Sequence, residues 1–130
     1  MTQHIELGKQ GEEYAGQYLI SNGYRIIETN WRVGKLEIDI IAQKYDFLSF
    51  VEVKTRSTNH FGYPEEAITR AKMINLLKAA EKYIEKSGLD IGFRFEVIAL
   101  TKTSDNTFEL EHFDEAFDSN TVHGAAYVRW

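Results

Sequence analysis

Two short runs of the sequence put charged side chains where strands are expected. In Leu36-Glu37-Ile38-Asp39-Ile40 a two-residue period sets Glu37 and Asp39 on one face and the aliphatic residues on the other. In Phe50-Val51-Glu52-Val53-Lys54 the same period groups Glu52 and Lys54 with Phe50 and Leu48. A tight turn centred on Tyr45-Asp46 sets the hairpin register, with Asp39 opposite Glu52 and Glu37 opposite Lys54. Directly opposed residues have β-carbons about 4.5–5.5 Å apart, and like charges placed so repel. Two such carboxylates ask for a cation, and Mg²⁺ is typically held by one or two carboxylates with water and phosphate oxygens completing its shell. Lys54 would then orient or help deprotonate a metal-bound water, or neutralise charge on a phosphorane-like transition state. The chemistry this spacing suggests is metal-assisted hydrolysis of a phosphodiester. Spacing also allows a Glu37–Lys54 cross-strand ion pair on a solvated face, with Asp39 and Glu52 exposed and unconnected. Leu48 and Phe50, on the face of Glu52, speak for a buried surface opening into a polar pocket.

The elements that must position these residues follow from periodicity. From about Ile5 to Asn22, Leu7, Tyr14, Ala15, Tyr18 and Leu19 recur at helical spacing, and Asn22-Gly23 is a natural stop. Gly8, Gly11 and Gly16 weaken the first turns of that helix. Strands are expected at Tyr24–Thr29, Leu36–Gln43 and Phe47–Lys54, forming an antiparallel meander. Pro64 precedes an amphipathic helix over Glu65–Lys86, closed by Ser87-Gly88, with an apolar stripe that begins at Ala67, Ile68 and Ala71 and continues through Ile74, Leu77, Ala80, Tyr83 and Ile84. Arg94–Leu100 reads as a strand and, after a turn at Asp105-Asn106, so does Thr107–His112. The order α-β-β-β-α-β-β describes an α/β chain with a sheet flanked by helices.

Composition bounds the function classes. The 130 residues suit one domain, and 43% hydrophobic with 27% charged residues is a globular balance. There is no cysteine, which excludes disulfides, thiol catalysis and cysteine-ligated metal. The N-terminal residues lack a basic and apolar leader pattern and no run approaches the roughly 18 apolar residues of a membrane span, so no membrane role and a cytoplasmic location are expected. The net charge of −5 argues against a polyanionic partner until it is located: residues 1–104 hold 14 basic and 14 acidic residues, and the excess lies in 105–130. Within residues 25–86, 11 basic residues face 9 acidic ones. His4, His60, His112 and His123 show no metal-ligand spacing, Ser49 and Ser57 no nucleophile arrangement, and no glycine-rich phosphate loop occurs.

Taken together the motifs resemble the YraN-like proteins, small bacterial proteins with the fold of the restriction-endonuclease-like, or PD-(D/E)XK, nucleases, related to Holliday-junction resolvases. The similarity runs through Gly8-x-x-Gly11-Glu12-x-x-Ala15, Leu19, Gly23-Tyr24 and Trp31 to Glu37-Ile-Asp39-x-Ile41 and Phe50-Val-Glu-Val-Lys54-Thr-Arg56. It continues through Phe61-Gly62, Glu66-Ala67, Lys72, Arg94-Phe95-x-Val97, Glu111-His112 and Ala116-Phe117. Glu96 stands where that family usually has Asp, and the segment before Lys72 lacks the family's common proline. The resemblance implies an αβββαβ core, a central mixed sheet flanked by helices, as a single domain over residues 1–117 with 118–130 as a C-terminal tail. It implies Asp39 and Glu52 as ligands of Mg²⁺ or Mn²⁺, the Val53 carbonyl as a third ligand, and Lys54 as the catalytic lysine. Glu12 would reach the same pocket, Glu37 would support it, and Arg56, Arg70 and Lys72 would contact nucleic acid. On residue type alone Glu12 reads equally as a solvated helix residue, and the three cations as surface charges. The implied activity is a metal-dependent nuclease acting on DNA, branched or single-stranded. The alternative is a nucleic-acid-binding or assembly module that keeps the fold with little or no catalysis. A homodimer, as in the resolvases, is compatible with either.

Overall fold

Each strand expected from the two-residue period is present and runs longer than its pattern. The computed structural model describes residues 2–57, 67–117 and 127–129. Helix α1 (Thr2–Ser21) ends at Gly23, whose φ of 89° suits glycine, and leads into β1 (Arg25–Val33). Strands β2 (Leu36–Lys44) and β3 (Phe47–Ser57) complete the meander. Then come β4 (Ala67–Thr69), α2 (Arg70–Ser87), β5 (Gly92–Lys102), β6 (Phe108–Phe117) and β7 (Tyr127–Arg129).

The second helix begins later than its hydrophobic pattern suggests. Thr69 is extended, at φ −71° and ψ 158°, and its hydroxyl accepts the Lys72 N–H, a side-chain cap that starts the helix at Arg70. Ala67 and Ile68 therefore belong to a short strand and not to the helical stripe, while Pro64 lies outside the described residues. Without those two anchors the buried face is Met73, Leu76, Ala79, Ala80 and Tyr83; Ile74, Leu77 and Ile84 flank it half-buried, and Ala71 is exposed. At the other end Gly88, at φ 70°, returns its N–H to the Ile84 carbonyl.

The sheet runs β1-β2-β3-β5-β6. β3 and β5 pair in parallel, a pairing that needs a crossover, and α2 lies in the connection between them. α2 packs Met73, Leu76 and Tyr83 on Ile38, Ile41, Leu48, Phe50 and Phe95. On the opposite face Ala15 and Leu19 of α1 pack with Ile40, Ala42, Val51, Ile98 and Leu100. This mixed sheet between two helices is an α/β fold consistent with a restriction-endonuclease-like core. β7, within the segment read as a tail, pairs antiparallel with β4. Among the described residues no helix is long and apolar enough to cross a membrane.

One glycine decides how closely α1 approaches the sheet. A β-carbon on Gly11 would overlap the Thr55 hydroxyl and stand 2.9 Å from the Thr55 Cβ, whereas Gly8 and Gly16 face open space. Gly11→Ala is therefore expected to cost about 1–3 kcal/mol through overpacking. Gly8→Ala and Gly16→Ala should stabilise by up to about 1 kcal/mol, as alanine does in an open helix position. Urea midpoints of the three variants measure the contrast; equal midpoints for all three would mean that α1 does not rest on Thr55.

Candidate functional site

The meander is built with a break where its charges gather. Its β2–β3 register is the one expected from the turn, but the ladder closes at Ile40–Val51, one pair short of Asp39 and Glu52. On the other side of β2, Trp31 pairs with Ile38 and Thr29 with Ile40, so Asn30 and Asp39 fall opposite each other between them. Asn30 has a φ of 49°, a left-handed conformation that asparagine tolerates better than most residues. Across this point the side chains of β2 change sides: Ile38 joins the core under α2 and Ile40 the core under α1. Simple alternation, with Glu37 and Asp39 on one face and all the aliphatics on the other, therefore fails at Asp39. Past the end of the ladder the Asp39 carboxylate replaces a strand partner, its Oδ2 accepting the Val53 N–H at 2.9 Å.

Of the residues singled out by spacing and resemblance, the fold brings together Asp39, Glu52 and Glu12. Glu52 is 4% exposed. Asp39 and Glu12 line one pocket of about 280 Å³ with Lys9, Glu13, Thr29, Asn30 and Ile40. Burial, the charges of Glu52 and, more weakly, of Glu12 push the Asp39 carboxyl up to about 8, against the pull of the Val53 N–H and the Lys72 ammonium. Lys72 reaches in from the first turn of α2, its Nζ 3.4 Å from Glu52 Oε2. Its charge is thus shared between a buried carboxylate and solvent, since the Lys72 side chain is itself exposed. Val53 contributes its N–H to the cluster. Lys54 is half-buried on β3, two residues from Glu52.

Others fall elsewhere. Glu37 is paired with Arg32, at 3.4 Å, so its charge is satisfied on its own hairpin. Arg56 donates from Nε to the Thr101 hydroxyl at 3.3 Å. Arg70 is exposed at the start of α2. Asn30 was not anticipated: its amide donates to Glu12 Oε1 at 3.0 Å and to Glu37 Oε2 at 3.4 Å, tying α1 to the hairpin beside Asp39. Asn30 lies just past the expected strand Tyr24–Thr29 and inside the observed β1, where asparagine is disfavoured, and nothing in the sequence pattern marks that role.

A comparison with protein-family models finds the one described as Uncharacterised protein family UPF0102 over residues 11–100. The chain belongs to the UPF0102 family. The matched span takes in Glu12, Asn30, Asp39, Glu52, Lys54 and Lys72. A UPF0102 protein of Flavobacterium psychrophilum is 46% identical over 117 residues, 90% of this chain and 98% of that protein. One of Phocaeicola vulgatus is 42% identical over 90% of this chain and 96% of its own length. One of Chlorobium phaeobacteroides is 43% identical over 87% and 94%.

In this UPF0102 chain the donor set suits a hard divalent cation in both charge and atom type. Asp39 and Glu52 are oxygen donors whose proximity is itself unfavourable without a cation. Among the described residues no three carboxylate or imidazole groups converge as a ready-made cage. An ion here would therefore keep water or substrate oxygens in much of its shell, as Mg²⁺ commonly does.

A second polar cluster lies along the same strands. Glu96, 1% exposed, accepts from the Tyr24 hydroxyl at 2.9 Å, meets His112 Nε2 at 2.6 Å and accepts from the buried Ser49 hydroxyl. His112 Nδ1 in turn meets the Tyr18 hydroxyl at 3.0 Å. Burial, then the Glu96 charge, push both tyrosines above their ordinary range. His112 is isolated in sequence; the hairpin of β5 and β6 sets it beside Glu96.

Proposed function

We propose that this UPF0102 protein is a Mg²⁺- or Mn²⁺-dependent nuclease that hydrolyses phosphodiester bonds in DNA, branched or single-stranded. The observation that carries this reading is Asp39, a carboxyl raised to about 8 chiefly by its burial and by the charge of Glu52. Strongly shifted groups in a cleft are candidates for chemistry. The resemblance to the PD-(D/E)XK nucleases adds to it, since Asp39, Glu52 and Lys54 occupy the positions of that signature.

Asp39 and Glu52, with the Val53 carbonyl, would hold the ion, and Glu12 would add its charge from the pocket wall. When bound, the ion would activate a water and offset charge on the phosphate. Asp39 is steered toward that role by the Val53 N–H, which fixes one of its oxygens. Lys54 would hold the attacking water or take its proton. Asn30 keeps the Glu12 carboxylate turned toward the pocket. Arg56 and Arg70 would contact backbone phosphates. A homodimer would offer two such sites to a symmetric branched substrate.

Lys72 favours a second reading. Its ammonium already supplies Glu52 with a counter-ion, which suits a nucleic-acid-binding or assembly module that needs no metal. Linear, flap and four-way DNA incubated with the protein in Mg²⁺, Mn²⁺ or chelator separate the two readings. The nuclease reading expects metal-dependent cleavage that falls by about 100-fold or more in Asp39→Asn, the scale of losing a main electrostatic contributor. Cleavage that survives unchanged in Asp39→Asn would remove Asp39 from the chemistry. DNA binding without cleavage of any substrate would leave the second reading.

A further inference from the structure

Beside the Asp39 pocket, on the adjoining flank of α1, lies a groove of about 400 Å³ that the chemistry above does not use. Glu13 lines both, so the two adjoin at that residue. The groove is built around an aromatic pair. Tyr14 is 43% exposed, and its ring centroid stands 5.1 Å from that of Phe108 on β6, tilted by 53°. A large aromatic side chain left this exposed at the wall of a groove offers a free π-face. Gln10, Gln17 and Asn106 complete the wall with side-chain amides. Amides carry both donors and acceptors and can match the edge of a base, as carboxylates and ammonium groups alone cannot. Lys102, whose Nζ donates to Gln10 Oε1 at 3.0 Å, is the groove's cation.

We propose that this groove binds an unpaired nucleobase of a single-stranded or branched nucleic acid, stacked on Tyr14 and read by the surrounding amides, next to the bond presented at Asp39. The identity of the occupant rests on the nuclease reading. Its chemistry is that of single-strand binding sites, which combine aromatic platforms with flanking cations. A duplex keeps its bases stacked within the helix and has no free base to offer the groove. The volume falls in the range of small-ligand sites, about 300–1,000 Å³.

The test measures binding apart from cleavage. Fluorescence anisotropy in chelator follows a labelled single strand of about 12 nucleotides, and a duplex of the same length, with wild type, Tyr14→Ala and Tyr14→Phe. Tyr14→Ala is expected to weaken single-strand binding between about 5-fold and about 150-fold, the equivalent of losing one base–aromatic stack. Tyr14→Phe, which keeps the ring, should bind as wild type, and neither change should move duplex affinity. Wild-type affinity in Tyr14→Ala, an equal loss on duplex and single strand, or no single-strand binding by the wild type would each overturn the groove. A selective single-strand loss in Tyr14→Ala from a protein that cleaves no DNA in Mg²⁺ would uphold the groove and remove the nuclease.

Discussion

Asp39→Asn should melt at a higher temperature than the wild type in metal-free solution, and the gap should widen as pH rises from about 4 to about 8. The sign follows from proton binding. The carboxyl is raised from 3.8 to about 8, so between those values the native state holds a proton that the unfolded chain releases. Wild-type stability is then fully present below the lower value and is lost as pH rises through the upper one. Each pH unit of such a difference is worth about 1.4 kcal/mol, so the full cost has a ceiling of about 6 kcal/mol. The Lys72 ammonium beside Glu52 offsets part of the repulsion, so about 2 kcal/mol is the expected gain at pH 8. For a chain of this size that is a rise of roughly 6–10 °C. Asparagine keeps an oxygen for the Val53 N–H, so the change removes the charge and spares the hydrogen bond. Added Mg²⁺ should raise the wild-type melting temperature by binding the native state and leave the variant unmoved. Melting curves from pH 4 to 9, with chelator and with Mg²⁺, check both. Parallel curves for the two proteins would mean that Asp39 bears no electrostatic load.

That stress was only half visible in the amino-acid order. The turn at Tyr45-Asp46 gave the right β2–β3 register, and alternation put Glu52 on the face of Leu48 and Phe50, where it is buried. Alternation misled at Asp39, because the side switch between Ile38 and Ile40 depends on a left-handed Asn30 one strand away. Backbone conformations imposed by a neighbouring strand leave no periodic trace. The start of α2 was placed early for a related reason. Ala67 and Ile68 fit a helical stripe, but the Thr69 side chain captures the Lys72 N–H and ends the extended segment there. Glu12 could be reached only through resemblance, since nothing local separates it from Glu13. Its placement depends on Gly11 letting α1 settle on Thr55, a contact between positions 44 residues apart.

Glu96 carries the other large expected effect, and it bears on stability more than on the pocket. Four or so residues of strand, about 13 Å at 3.3 Å each, separate its Ser49 partner from Val53. Glu96→Ala would strip the partner from Ser49, Tyr24 and His112 at once and leave a void between α1 and the sheet. Removing one member of a buried charged network typically costs about 3–5 kcal/mol. Domains of this kind have only about 5–15 kcal/mol in total, so the variant should unfold at a much lower urea concentration. Arg94 would lose its buried partner: its Nε, 3.6 Å from Glu96, has no hydrogen bond, while its guanidinium, over the Phe47 ring at 3.8 Å, would keep the exposed Glu115, 3.5 Å from Nη1. Glu96→Gln separates the charge from the packing. It keeps the volume and one acceptor oxygen, so a loss of about 1–2 kcal/mol is expected. It also removes the negative charge that helps to raise Tyr18 and Tyr24, so spectrophotometric titration should show two tyrosines ionising at lower pH than in the wild type. If Glu96→Gln were as unstable as Glu96→Ala, the charge itself would be what holds the cluster, and the His112 contact would be an ion pair rather than a neutral hydrogen bond. If the tyrosine titration stayed put while stability fell, the two tyrosines would owe their shifts to burial alone.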